Sequence, residues 1–527
     1  MRIYIIGMGI ISPLGCGTEQ TKAAIIDGHK GINQLTLFSA SKILPVGEIP
    51  RSLTETWEHD NIPRTHLLAL TAAKEATANI KEPPDAVVLG GTTGGILTTE
   101  EYLKAGNHDS KAYQYHSISS VAEYIARKFH CRGPVLSIST ACSSGTAAIK
   151  TALEMLRTGK VKSVLAGGAD SLCRLTYYGF NSLQLIDPEG SRPFDKNRKG
   201  MNVAEGAAML FLTAEEHPPD NAIAEILGGG LSCDAHHATA PHPEGKGAFN
   251  AMMSAMEDAG ISPNDIDYIN LHGTGTKDND LSEAKGIRAI WGDKIPYLSS
   301  VKGASGHPIA AAGAIEAVIS ALCIANQIIP ANAGYYEFDP EINIAPIQTP
   351  LSGVKVDTVL SNSFGFGGNN ASIIIGNPKT PRISEKNNMS SSQFSVLGSS
   401  CITGAGDTEK TLNALLNGSH CKGTVPIEDI SENLPSKLIR RMKRMPRLSL
   451  ALASSACSQE DKLSFSKKLS FSPSSIFFGT GWGSLSETYD FLMKLYESEE
   501  RFTSPTDFTG SVHNAPAGQI AIMLKSV

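Results

Sequence analysis

Residues 1 to about 378 of this 527-residue chain are expected to form a layered α/β domain, and residues 394–527 the opening part of a second α/β unit. Three observations carry this expectation. Apolar, β-branched runs of strand length alternate with longer stretches whose Ala, Leu, Met and Ile recur at spacings of three and four. A polar stretch, 379–393, with Pro381 inside it and Pro378 just before it, then interrupts the pattern and reads as a linker. Beyond it the opening pattern returns.

The strand-like runs are 3–6, 86–89, 135–138, 163–166, 266–271 and 372–375. The helix-like stretches are 143–158, 248–259 and 310–325. Such alternation favours helices packed on sheets, with the first domain dividing into halves at about 1–215 and 216–378. The repeat is local but ordered. Ile5-Ile6-Gly7, then Gly15 and Thr18-Glu19-Gln20-Thr21, is echoed by Val396-Leu397-Gly398, then Gly406 and Thr408-Glu409-Lys410-Thr411. Val88-Leu89-Gly90 with Gly94 is likewise echoed by Phe477-Phe478-Gly479 with Gly483. The second copy ends before any counterpart of the region around residue 142. An incomplete α/β unit exposes an apolar face, so it should either dock on the first domain or wait for a partner.

Composition excludes several classes. An apolar fraction of 41% and a charged fraction of 19% belong to a globular chain, and a net charge of −6 offers no general attraction for nucleic acid. Nine scattered cysteines without a C-x-x-C pair read as reduced intracellular thiols. No membrane span is expected, because the most apolar stretch, 310–329, carries Glu316 and Asn326 and has a core-like pattern. The short apolar start is broken by Gly7 and Gly9 and ends in a Ser12-Pro13 turn, unlike a secretory signal, so the cytoplasm is the expected location.

Four motifs carry chemistry. Ser139-Thr140-Ala141-Cys142-Ser143-Ser144-Gly145 follows a strand and opens a helix, so Cys142 should sit at a helix N-terminus, where the thiolate is favoured, among small neighbours that admit a thioester. Asn270-Leu271-His272-Gly273-Thr274-Gly275-Thr276 places His272 at a strand exit. Val301-Lys302-Gly303-Ala304-Ser305-Gly306-His307 precedes an alanine-rich helix containing Glu316. Asn362-Ser363-Phe364-Gly365-Phe366-Gly367-Gly368-Asn369 sets two aromatic rings in a glycine loop able to offer backbone N–H groups to a ligand.

In this order the motifs resemble the β-ketoacyl synthases of fatty acid and polyketide assembly, over residues 1 to about 378. Gly7-Met8-Gly9, Gly167-Gly168-Ala169-Asp170, Ser191-Arg192-Pro193-Phe194-Asp195 and the loop from Asp234 to Pro241 agree. The resemblance implies a thiolase-like fold of five layers, α/β/α/β/α, in two related halves. It implies an elongating condensing enzyme that carries its acyl group as a thioester on Cys142. The backbone N–H groups of Cys142 and Phe366 would form the oxyanion hole, and neutral His272 and His307 would stabilise the enolate left when a malonyl thioester loses carbon dioxide. Lys302 and Glu316 would pair near His307 and fix its orientation, or serve only as a supporting ion pair, and Asp280 is a further supporting residue. Thr274 and Thr276 would hold the phosphopantetheine arm, Phe364 and Phe366 would gate acyl entry, and Thr239 would line the substrate entrance. Substrates would arrive on the phosphopantetheine of acyl carrier protein, with no permanently bound cofactor. The implied assembly is a homodimer or a heterodimer with a second ketosynthase-like chain.

Residues 394–527 resemble the N-terminal part of ketosynthase-like proteins, including chain-length-factor partners, and carry no active-site motif. Their basic run, 434–447, reads as an attraction for an acidic carrier protein or as a solvated helix face. A non-catalytic chain-length or scaffold subunit is the alternative for the whole chain, against which stand Cys142 and both histidines. A thiolase would need a second cysteine, which 361–370 lacks. Gly7-Met8-Gly9 lacks the third glycine of a dinucleotide fingerprint, and His236, His237 and His242 beside Asp234 read as an entrance loop rather than a metal site.

Overall fold

The computed structural model describes residues 1–54, 62–380, 395–432, 434–440, 442–457 and 474–525. Its principal sheet is built from β1 (Arg2–Ser12), β2 (Ala86–Gly90), β3 (Val135–Ile138), β4 (Ser163–Asp170), β5 (Gly206–Glu215), β6 (Ala224–Cys233), β7 (Tyr268–Asn270), β8 (Tyr297–Ser299), β9 (Thr358–Gly365) and β10 (Asn369–Gly376). Their spatial order is β8-β7-β9-β10-β6-β1-β5-β4-β2-β3. Read from its outer edge inward, each half follows one plan: third strand, second, fourth, fifth, first. The second strand runs parallel to the third and fourth, and the fifth runs antiparallel to both neighbours. The halves meet at a short antiparallel seam, Ile3 opposite Ile226, Tyr4 opposite Glu225 and Ile5 opposite Ala224.

Helices complete five layers. α1 (Arg64–Ala76) and α2 (Ser119–Lys128) cover the outer face of the first half through Leu68, Ala72, Val121 and Ile125. α3 (Ser144–Arg157) lies in the middle, α4 (Arg174–Ser182) follows β4, and α5 (Lys246–Ala259) and α6 (Lys277–Trp291) cover the outer face of the second half. α7 (Ala312–Asn326) joins α3 between the halves, packed on Val164, Leu210, Val359 and Ile373. This explains why its sequence is apolar all round. By length and composition Ile309–Asn326 could cross a membrane, but 89% of that window is buried in the protein. Several strands are also covered on both faces, so β4, β5, β9 and β10 are buried along nearly their whole length and show no apolar–polar alternation.

Gly7 and Gly9 have a packing role. A Cβ on either would stand 2.0 Å from a backbone oxygen of α1, that of Ala76 or Ala72. β1 runs straight through both glycines, so no helix N-terminus follows them as a dinucleotide site requires.

The second segment differs from the α/β unit its sequence suggests. Helices echo the first domain: Thr408–Leu416, α8 (Arg444–Cys457), α9 (Leu485–Glu497), α10 (Pro505–Ser511) and α11 (Ala515–Leu524). The stretch 396–403, which echoes β1, forms no strand, and Val396 and Leu397 are exposed. β1 is hydrogen-bonded between β5 and β6, and this segment supplies no counterpart to either among its described residues. The expected linker lies, from residue 381 onward, outside the described residues.

The segment does dock on the first domain. Phe491, Leu492, Leu495 and Phe508 are buried in one apolar cluster with Tyr177, Tyr178 and Phe180 of α4. The Tyr496 hydroxyl donates to the Glu100 carbonyl at 3.1 Å, and the Ser41 N–H to the Glu500 carboxylate at 3.1 Å. In the basic run, Lys443 pairs with Asp507 at 2.8 Å and Arg447 donates to the Met442 carbonyl, so two of its cations serve the segment's own packing. A Cβ on Gly179 would lie 2.2 Å from the Phe508 ring. Gly179→Leu should therefore expel Phe508 and undock α9–α11. Limited proteolysis should cut the variant within the second segment at least about tenfold faster than the parent while the first domain stays resistant.

Candidate active site

Cys142 lies in the tight turn between β3 and α3. Ala141 takes φ +54°, a left-handed conformation costly for a residue with a Cβ, and the hydroxyls of Ser143 and Ser144 donate back to the carbonyls of Thr140 and Ala141 to hold it. A Cβ on Gly145 would stand 2.7 Å from the Ala310 carbonyl, so glycine brings the turn against the chain that follows His307. The sulfur is buried, and burial pushes the thiol up to about 12. Lys302 opposes this, as do the backbone N–H groups of Phe366 and of Cys142 itself, while Asp170 adds to it. The expectation of a favoured thiolate thus meets an opposing effect: loss of hydration outweighs the pull of Lys302 and the two N–H groups and favours the protonated sulfur.

His272 leaves the end of β7. Glu283 of α6 accepts the N–H groups of His272 and Gly273, each at 2.8 Å, and the Asn362 amide at 3.1 Å, which fixes this turn. His307 donates its backbone N–H to the Asn202 carbonyl at 2.7 Å and accepts from Ala204 at 2.9 Å. The two imidazoles meet edge to face, centroids 5.3 Å apart. Burial, reinforced by Lys302, holds both far below the usual histidine range, so both are neutral at pH 7. Nδ1 of His272 and both ring nitrogens of His307 are buried without a hydrogen-bond partner. Buried polar atoms left open in this way suit a site that a substrate completes.

Lys302 and Glu316 form the ion pair the sequence suggests, both about 1% exposed. Burial lifts the Glu316 carboxyl to about 7 against the pull of Lys302. Neither hydrogen-bonds a ring nitrogen of His307; Lys302 acts on the imidazole through space, adding to burial in lowering its affinity for a proton. Just beyond, Ile309 takes φ +43°, strained for a β-branched residue, while Asp170 accepts the Ala310 N–H at 2.9 Å.

Phe364 packs its ring 5.7 Å from that of His272, and Phe366 lies 5.6 Å from Phe180 in the cluster containing Cys142. The Thr274 and Thr276 hydroxyls face each other at 2.9 Å. Asp280, fully buried, accepts the N–H groups of Phe194 and Gly275 and so braces that turn. Thr239 sits in the loop whose Ala238 carbonyl accepts the Gly367 N–H at 2.8 Å, and His237 Nδ1 accepts the N–H groups of Thr239 and Ala240. A hidden thiol, two neutral imidazoles and one buried cation can support acyl transfer to sulfur and stabilise a developing oxyanion.

The family models for the N-terminal and C-terminal domains of beta-ketoacyl synthase match residues 1–217 and 223–336. A 3-oxoacyl-[acyl-carrier-protein] synthase 2 of Rhizobium meliloti is 32% identical over 414 residues, covering 71% of this chain and 98% of the relative. The chain belongs to the β-ketoacyl synthase family. Among solved structures, the ishigamide ketosynthase/chain length factor superposes with a TM-score of 0.67 at 32% identity, and a ketosynthase in complex with its chain length factor from Xenorhabdus doucetiae with 0.64 at 33%. Each covers 71% of this chain and 98% of its own. The fold is thiolase-like, and the synthase is a condensing enzyme of the acyltransferase class.

Sequence reasoning missed Glu283. Its only signal was an acidic residue on the helix after the His272 turn, indistinguishable in sequence from the exposed Asp278 three positions before Leu281. Asp170 was recognised as a landmark but not as the acceptor for Thr92, Thr93 and Ala310.

A thiol pushed up to about 12 reacts only through its small thiolate fraction at neutral pH. The rate of Cys142 alkylation by iodoacetamide, read by peptide mass spectrometry, should climb about tenfold per pH unit across the alkaline range without levelling below about pH 10. Lys302→Met removes the cation that lowers the thiol, so it should slow alkylation at every pH, by about tenfold for each unit the thiol rises.

Proposed function

We propose that this synthase catalyses decarboxylative condensation of an acyl thioester with malonyl-acyl carrier protein, lengthening the acyl chain by two carbons through an acyl-Cys142 intermediate. The observation that carries the reading is the convergence of Cys142, His272 and His307, distant in sequence, around the buried cation of Lys302, with the two imidazoles in contact.

In the first half-reaction the Cys142 sulfur attacks the acyl carbonyl. The new C–S bond forms as the pantetheine sulfur leaves, taking up the proton that Cys142 loses. The backbone N–H groups of Cys142 and Phe366 are assigned to the oxyanion, a role supported by their favouring charge on the sulfur. Malonyl thioester then loses carbon dioxide, and the electron pair of the broken C–C bond becomes an enolate. Neutral His272 and His307 donate N–H groups to its oxygen without placing a second fixed cation beside Lys302. The enolate carbon attacks acyl-Cys142, a C–C bond forms, the C–S bond breaks, and the Cys142 thiolate recovers a proton.

Thr274 and Thr276 are assigned to the phosphopantetheine arm, Phe364 and Phe366 to the acyl gate, Thr239 to the entrance, and Glu316 and Asp280 to support. Acyl carrier protein is the proposed partner, as the name of the Rhizobium relative suggests. The similarity to ketosynthases solved with chain length factors supports a heterodimer with a second ketosynthase-like chain over a homodimer. Residues 1–378 form the synthase unit and 394–527 an accessory one.

With acyl and malonyl carrier proteins as substrates, Cys142→Ala should abolish both acyl-enzyme and product. His272→Ala and His307→Ala should retain the acyl adduct on Cys142 by intact-mass measurement yet lose product at least about a hundredfold. Full condensation by Cys142→Ala would overturn the acyl-Cys142 reading, and no condensation by the parent chain would leave a non-catalytic, chain-length role.

A further inference from the structure

The peptide group between Phe366 and Gly367 is gripped from two sides. Its N–H, on Gly367, donates to the Ala238 carbonyl at 2.8 Å. Its carbonyl, on Phe366, accepts the Asn369 amide at 3.2 Å and, more closely, the Asn514 amide at 2.8 Å. Asn514 belongs to the second segment, at the junction of α10 and α11. It is buried, and its Oδ1 has no partner, so its side chain serves this one bond.

The loop needs such a grip. Gly367 and Gly368 both take positive φ, +80° and +74°, and two consecutive glycines give the backbone freedom to swing. Contact with the second segment is close enough to depend on glycine: a Cβ on Gly367 would stand 3.0 Å from the Asn514 amide, and one on Gly518 of α11 would stand 3.1 Å from Gly367 Cα. One residue earlier, the Phe366 N–H acts on the Cys142 sulfur. The same segment also supports the Phe366 side chain, since Phe508 packs 5.1 Å from Phe180, which packs 5.6 Å from Phe366.

We propose that the second segment works in cis as part of the condensing machinery, with Asn514 as a positioning residue that holds the Phe366–Gly367 peptide so that the Phe366 N–H stays aimed at Cys142 and at the oxyanion formed there. The inference rests on the reading of Cys142 as the acyl carrier. It gives the segment a task in catalysis although it holds no reacting group. Removing the bond lets the glycine loop relax and loses a donor that should matter more in the transition state than in substrate binding.

The test compares Asn514→Ala and Asn514→Asp, the latter nearly isosteric but unable to donate, with Gln519→Ala on the same helix as control, all in the full chain. Condensation of acyl and malonyl carrier proteins should fall at least about tenfold in kcat in both Asn514 variants, with KM for the acyl carrier within about twofold. The pH profile of Cys142 alkylation should move to higher pH in both, because the N–H that favours the thiolate is no longer held on the sulfur. Unchanged kcat would overturn the inference. So would a loss of activity that comes with rapid proteolysis of the second segment and an unshifted alkylation profile, since that would mark Asn514 as merely structural. Condensation surviving in Cys142→Ala would instead defeat the underlying reading, separately from the behaviour of Asn514.

Discussion

The ion pair between Lys302 and Glu316 sets the electrical conditions under which every other group in the site exists. It is enclosed between the two halves of the domain, with Glu316 on α7 and Lys302 just before the turn to His307. An ammonium stripped of water is costly unless paired, so Glu316 makes it tolerable while leaving a positive field around Nζ. Burial raises the Cys142 thiol and keeps protons off His272 and His307; the field opposes the first effect and reinforces the second. One buried cation thus favours negative charge on sulfur and neutrality on the imidazoles, the two states that acyl transfer followed by enolate formation requires.

The duplicated architecture explains how three remote segments reach that cation. The motif of Cys142 follows the third strand of the first half, and those of His272 and His307 follow the second and third strands of the second half. Because both halves share a strand plan and meet at the β1–β6 seam, equivalent strand ends open on the same central layer, where α3 and α7 pack together. The turns there are strained or braced rather than relaxed. Ala141 and Ile309 hold positive φ, and Asp170, Asp280 and Glu283 are buried carboxylates that each accept at least two backbone N–H groups. Such strain persists because the surrounding core overdetermines it.

The second segment adds a layer to this logic. It retains the helices of its template but not the strand that would require β5 and β6 counterparts, and it compensates by burying Phe491, Leu492 and Phe508 on α4. Its contact with the synthase falls on α4 and on the loop that bears Phe366, so its docking and the geometry of the Cys142 pocket are mechanically linked.

Much was legible from the sequence alone. The strand 135–138 and the helices near 143–158, 248–259 and 310–325 follow from local patterns, because a residue's neighbours along the chain decide whether it sits in a strand, a helix or a glycine turn. Cys142, His272, Lys302, His307 and Phe366 stand out by motifs that resemble those of the β-ketoacyl synthases. β5, β6 and β9 were not picked out: buried strands show no alternation, and the glycines 228–230 of β6 and Ser361-Asn362-Ser363 of β9 also break their apolar runs. Charge state was beyond the sequence altogether. Whether Cys142 is a thiol or a thiolate depends on how much water reaches it and on a lysine 160 positions away, and Glu283 and Asn514 acquire meaning only from the backbone groups folded against them. Local chemistry names the candidate atoms; burial and through-space fields, which only the folded chain supplies, decide their charge.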